Sequence, residues 1–185
     1  MAKVLIVYYS QTGVTEKMAN YIAEGVRFTG NLADTKPISK IINAYDLNGY
    51  DGYIFGAPTI SLDVPEPMKV FLTLAKSAKL KGKLGGAFGP YRHEVAYAPG
   101  GKAAEILFDT LECALEMEPF ELGPLRLKEV LVNDIEGLRA CQAYGKAFGE
   151  KLNVKTSETR LSAQIEKDIE LEEDIVSVHK DEMEG

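Results

Sequence analysis

Residues 4–9, Val-Leu-Ile-Val-Tyr-Tyr, form an unbroken β-branched and aromatic run with no polar face. Such a run predicts a strand buried on both sides, as in a parallel sheet. The period then changes. Met18, Ile22 and Val26 recur every four residues with Ala19 and Ala23 beside them, predicting a helix over 13–28 that stops near Gly30. The alternation repeats along the chain. Residues 33–38 read as a second strand, placed at an edge by Pro37. Residues 53–57 read as a third strand ended by Pro58, and 66–75 as a helix with Val70, Phe71 and Leu74 inward. A Gly-rich fourth strand is predicted over 83–88 and a helix over 102–115 with Ile106, Leu107, Leu111 and Leu115 on its apolar face. A fifth strand over 125–132 and a helix over 135–152 complete the pattern.

Five strands and four helices joined by right-handed crossovers predict a parallel sheet with helices on both faces. Ligands of such sheets bind beyond the carboxyl ends of the strands, where strand order reverses. That directs attention to loops 10–15, 58–65 and 89–101.

The first loop, Ser10-Gln11-Thr12-Gly13-Val14-Thr15, crowds three hydroxyls between a buried strand and a helix start. First-turn amides of a helix lack internal acceptors, and the helix dipole favours an anion beside them. Gly13 permits close approach of the backbone. The donors are neutral apart from the dipole and the nearby Lys17, which suits a terminal phosphate. A capped helix needs only one such hydroxyl. The loop is neither a Walker A sequence nor a Gly-x-Gly-x-x-Gly turn. In the second loop, Ile60 or Leu62 is placed to cover a flat ring and Thr59 to hydrogen-bond its heteroatoms. In the third, Tyr91 and Tyr97 are placed to stack on a ring, while Arg92 and His93 offer an anion or partner contact. An acidic residue near the ring, such as Asp63 or Glu94, would disfavour added negative charge.

Composition changes the picture mainly at the C-terminus. The chain has 185 residues and a net charge of -7. Residues 154–185 hold ten acids against four bases, so six of those seven charges belong to the tail. The rest is nearly neutral and has no basic stripe for nucleic-acid phosphates. No apolar run approaches the roughly 18 residues of a membrane span, and no signal-peptide pattern precedes the first strand; a cytoplasmic location is the expectation. Two cysteines and two histidines show no metal-ligand spacing, and no metal site or catalytic residue is assigned. In the tail, Leu161, Ile165 and Ile169 predict a short amphipathic helix over 157–171, followed by a more strand-like run at Ile175, Val176 and Val178. The expected division is therefore a domain over 1–153 and an acidic, partly helical extension over 154–185.

The run from Val4 to Thr15 resembles the flavodoxin family's first strand and phosphate loop. Gly56-Ala57-Pro58-Thr59 and Gly89-Pro90-Tyr91 match the family's two ring loops in position. The resemblance covers about residues 3–152 and is similar to the short-chain form or to the flavodoxin domain within flavodiiron proteins. It implies an α/β three-layer sandwich with a five-stranded parallel sheet in the order 2-1-3-4-5, followed by the C-terminal extension. It also implies FMN as cofactor, with Ser10, Gln11, Thr12, Gly13, Val14 and Thr15 at the phosphate. Pro58, Thr59, Ile60, Gly89, Tyr91 and Tyr97 would surround the ring. The implied activity is low-potential electron transfer between redox partners, such as a reductase and an acceptor. An NAD(P)H:quinone-type oxidoreductase is the alternative, and homodimerisation through the extension is a further expectation. The chain has no Trp, and no Gly lies between Ala57 and Glu66, where family members often turn a peptide beside the ring. A phosphorylation-dependent receiver domain of similar topology would need acids after strand one and an Asp ending strand three. Those places read Tyr9-Ser10-Gln11 and Gly56-Ala57-Pro58.

Overall fold

A computed structural model describes the backbone of residues 1–92 and 101–183, with side chains described through residue 167 and at 169. Two compact units divide the chain, Met1–Leu152 and Asn153–Gly185.

In the first unit, β1 (Lys3–Tyr8) lies at the centre of a parallel sheet. On one side it pairs with β2 (Leu32–Pro37), on the other with β3 (Gly52–Gly56), which in turn pairs with β4 (Leu84–Tyr91). The helices between them are α1 (Val14–Arg27), α2 (Glu66–Ala75) and α3 (Lys102–Cys113). The order is 2-1-3-4-5, with reversal of chain direction across the sheet at β1 and β3. Side chains of β1 alternate between two cores. Leu5 and Val7 join Phe55, Phe71 and Leu107, while Val4, Ile6 and Tyr8 join Met18, Ile22 and Phe148. The continuous apolar run at 4–9 is thus the sequence of a strand covered on both faces. Glycines of β4 admit large neighbours. A Cβ at Gly86 would lie 2.9 Å from the Tyr144 hydroxyl and 3.2 Å from the Phe148 ring.

The fifth position differs from the single strand predicted over 125–132. It is filled by two pieces, β5 (Glu118–Pro119) against the start of β4 and β6 (Leu125–Lys128) against its end. Between them the chain dips to bury Phe120 against Tyr144 and Phe148 and turns at Gly123, φ +70°. The register Tyr91↔Lys128 exhausts β4. Residues beyond Lys128 have no strand to pair with, so Glu129–Asn133 coil into a 3-10 turn in which only Val132 is buried.

Helical backbone runs from Ile135 to Met183 as α4. Two expectations are corrected here. The predicted interruption between a helix ending at 152 and another starting at 157 does not occur, and the run at Ile175–Val178 is helical. From residue 150 to 184 there is neither Gly nor Pro, so nothing local breaks the helix. Among the described residues no helix is long and apolar enough to cross a membrane, and no cluster of His, Cys, Asp or Glu is arranged to hold a metal ion.

Candidate functional site

The first loop leaves β1 where its carboxyl end meets β3: the Tyr9 amide donates to the Gly56 carbonyl at 2.9 Å. The chain then bends, and the Ser10 hydroxyl accepts from the Gly13 amide at 3.1 Å. Gly13 is the N-cap of α1 at φ +85°, with no side-chain cap. Its Cα faces open space, for no atom lies within 4 Å of a Cβ built there. The helix ladder begins with Lys17 N–H to Gly13 C=O at 3.0 Å, leaving the amides of the first turn without helical acceptors. Lys17 itself reaches away to the Asn133 side chain at 2.9 Å and over the Tyr21 ring. The cradle is therefore built of neutral donors and a helix dipole.

The second loop is pinned from two directions. The Thr59 amide donates to the Pro90 carbonyl at 3.0 Å, and the Thr59 hydroxyl accepts from the Ala103 amide at 3.1 Å. Thr59 thus caps the start of α3 and retains its O–H as a donor. Next, Ile60 and Asp63 exchange two backbone hydrogen bonds, 3.1 and 3.0 Å, closing a two-residue turn. Its central residues, Ser61 and Leu62, both lie at positive φ, 50° and 61°. Primed turns demand this, and Asn-Gly is the usual solution; here Ser-Leu adopts it without glycine. Asp63 fixes the far end. Its carboxylate accepts from Lys69 at 2.6 Å and from the Val64 amide at 2.7 Å, which together hold its pKa below the usual carboxylate value. The Asp63 charge is therefore paired with Lys69.

These loops meet in a cavity of ≈ 470 Å³. Gln11, Thr12, Val14 and Thr15 line one end; Pro58, Thr59, Ile60, Ser61 and Leu62 line another wall, with Pro90, Tyr91, Arg92 and Glu129 opposite. Thr15 is 1% exposed. Arg92 Nε donates to Glu129 Oε2 at 2.6 Å, and that pair raises the arginine's pKa and cancels its charge at the rim. The volume lies in the range of small-molecule sites. One end presents hydroxyls and helix amides, the other an apolar slot between Ile60, Leu62 and Tyr91.

The remaining predicted residues fall elsewhere. Ser10 lines a second cavity of ≈ 640 Å³, with Tyr8, Tyr9, Glu16, Ile38, Ile41 and Phe71 among its walls. There Tyr8 donates to Glu16 at 2.9 Å, and its pKa rises to about 12 through burial and that carboxylate. Gly89 sits inside β4 beneath the site; a Cβ there would stand 2.2 Å from the Ala57 carbonyl oxygen. Tyr97, His93 and Glu94 lie outside the described residues. Sequence reasoning assigned no role of their own to Ser61, Pro90 or Glu129. Pro90 was legible as the neighbour of two predicted residues. Glu129 carried no local signal, because its partner Arg92 is 37 positions away.

The architecture coincides with that of a known group of proteins. A family model described as Flavodoxin matches residues 6–115. The chain belongs to the flavodoxin family. Relatives include diflavin flavoprotein A 4 of Nostoc sp., 30% identical over 170 residues, covering 88% of this chain and 27% of that protein. An NAD(P)H dehydrogenase (quinone) of Azorhizobium caulinodans is 33% identical over 125 residues, covering 57% of this chain and 63% of that protein. The oxidised flavodoxin 1 of Bacillus cereus superposes with a TM-score of 0.68 at 30% identity, over 80% of this chain and 98% of that one. The chain therefore spans about a quarter to under two thirds of the length of these two curated relatives.

Proposed function

We propose that this flavodoxin-family chain binds one FMN and carries low-potential electrons between redox proteins in the cytoplasm. The observation that carries the reading is the single cavity joining the Gln11–Thr15 helix start to the slot between Ile60, Leu62 and Tyr91. The donor set fits a phosphate at one end and a flat apolar ring at the other. Thr12, Thr15 and the amides of the first turn of α1 would hold the phosphate, with Ser10 ordering the loop through the Gly13 amide. Pro58, Thr59, Ile60 and Tyr91 would flank the ring above Gly89, and Tyr97 belongs to the same third loop. Bound FMN would supply the electron-accepting chemistry, and the protein supplies binding, orientation and electrostatics. Ile60 and Leu62 would cover the bound ring with apolar surface. Arg92 is neutralised by Glu129 and Asp63 by Lys69. The pocket thus offers little compensation for added negative charge, which favours a low reduction potential.

The test is a fluorescence titration of the flavin-free protein with FMN, FAD and riboflavin. FMN is expected to bind more tightly than riboflavin by at least about 100-fold, the scale of two or more charge-assisted hydrogen bonds. Equal affinity for riboflavin would remove the phosphate assignment. A second reading, an FMN-dependent NAD(P)H:quinone oxidoreductase, is favoured by the Azorhizobium relative's name and 33% identity. Steady NADPH oxidation by the pure holoprotein with a quinone acceptor would establish it over the carrier; inertness until a reductase is added would establish the carrier.

A further inference from the structure

Among its described lining residues, the cavity between the three loops carries two charged groups, Arg92 and Glu129. They reach it along adjacent strands. Tyr91 and Lys128 are register partners at the ends of β4 and β6. The two strands are parallel, so the next residue of each leaves the sheet on the same side, at the carboxyl end where ligands of such sheets bind. There the guanidinium meets the carboxylate at two points. Arg92 Nε donates to Glu129 Oε2 at 2.6 Å, and Arg92 Nη2 donates to Oε1 at 3.4 Å. A two-point contact fixes orientation as well as distance. The partners are unequally exposed, 63% for the Arg92 side chain and 25% for Glu129. The carboxylate is the more enclosed of the two.

With both groups present, the charges on this lining cancel. Without Glu129 the lining keeps a positive charge; without Arg92 it keeps a negative one. Arg92 directly follows Tyr91, which lines the apolar slot, whereas the phosphate end is built on a different loop by Gln11, Thr12, Val14 and Thr15. The pair therefore belongs to the ring end. A flavin ring that takes up two electrons and one proton gains one negative charge, while its phosphate carries the same charge before and after. A protein charge beside the ring changes the ratio of reduced to oxidised binding, and so the reduction potential. A charge felt by the phosphate cancels from that ratio.

Resting on the FMN reading above, we propose that Glu129 sets the reduction potential of the bound flavin by cancelling the charge of Arg92. Glu129 is a positioning residue. It acts through Arg92, the group that would otherwise stabilise the reduced ring.

The full chain is loaded with FMN and reduced with dithionite in equilibrium with a reference dye, dithionite supplying the electrons and water the proton. Glu129→Gln keeps the shape of the side chain and an acceptor for Arg92, and removes the charge. It is expected to bind reduced FMN about tenfold more tightly relative to oxidised FMN, the scale of one charge at a partly exposed site. That raises the two-electron midpoint by about 30 mV. Arg92→Gln leaves Glu129 uncompensated and should lower the midpoint by about the same amount. The double variant Arg92→Gln, Glu129→Gln and the exchanged pair Arg92→Glu, Glu129→Arg should each return to within about 15 mV of the unaltered protein, about threefold in relative affinity. A contact that merely ties β4 to β6 predicts otherwise: both single variants would lose thermal stability, and the double variant would not recover. Single-variant shifts of opposite sign, with recovery in the paired variants, support the proposal. Shifts of the same sign, or single-variant midpoints within about 15 mV of the unaltered protein, would overturn it and leave the FMN reading standing. Failure of the unaltered chain to take up FMN would overturn both.

Discussion

The Ile60–Asp63 turn stores strain that can be measured by removing it. Ser61 is exposed and sits at φ 50°, where an L-residue other than glycine, Asn or Asp loses about 1–2 kcal/mol. Ser61→Gly relieves that strain and loses no buried contact. Against this, glycine makes the unfolded chain freer by about 0.4–1 kcal/mol. The expected balance is a gain of roughly 0.5–1 kcal/mol for the flavin-free protein. With a urea m-value of about 2 kcal/mol/M, the midpoint should rise by about 0.3–0.5 M without a change in m. Ser61→Val is the opposing control, since a β-branched residue is worse placed at positive φ; its midpoint should fall. Leu62→Ala keeps the backbone strain but strips apolar cover from the cavity wall. It should leave stability within about 1 kcal/mol and weaken flavin binding by about tenfold. The assays are urea unfolding by circular dichroism and flavin fluorescence titration. A lower midpoint for Ser61→Gly, or an unaltered one for Ser61→Val, would show that the turn is not strained as its dihedrals indicate.

Gly89→Ala forces a Cβ to within 2.2 Å of the Ala57 carbonyl. It is expected to destabilise by about 1–3 kcal/mol, visible in thermal unfolding. Gly13→Ala meets no atom but must hold φ +85°, so it should be less damaging than Gly89→Ala and partly rescued by Asn. Thr12→Val and Thr15→Val should each weaken FMN by about 10- to 100-fold while leaving riboflavin binding within about threefold. Alkali is expected to destabilise the fold. Tyr8, Tyr50 and Tyr53 are raised from 10.0 to about 12, and Cys141 from 9.0 to about 12, burial being the largest cause in each. A pKa raised in the folded state contributes stability that is complete below the unfolded value. That stability is lost as pH climbs through the folded one, so it should decline from about pH 9–10 to about 12. Tyr8→Phe should shallow that decline in urea midpoints measured across the range.

Local chemistry was enough for much of this molecule. The run at 4–9 can only be a strand covered on both faces, because no arrangement with one wet face spares so many apolar side chains. The four-residue period of α1 placed its buried face, and the hydroxyl-rich turn before α1 lies at one end of the cavity. These are short-range signals, and they stand because tertiary packing agreed with them. In α2, by contrast, the residue expected inward at Val70 is 64% exposed, and Met68, Phe71, Leu72 and Ala75 form the buried face. Other features depend on partners far along the chain. The fifth strand divides because β4 ends at Tyr91 and leaves residues past Lys128 unpaired. Thr59 serves as a cap because the amide of Ala103 arrives beside it, 44 positions on. Glu129 enters the site because Arg92 needs a counter-charge there. Ser61 and Leu62 accept positive φ because the two hydrogen bonds of Ile60 with Asp63 and the Asp63–Lys69 pair close the turn around them. A residue's own preference amounts to about 1 kcal/mol or less. Several distant contacts acting together exceed that, and where they converged at the cavity rim only the folded chain decided the outcome.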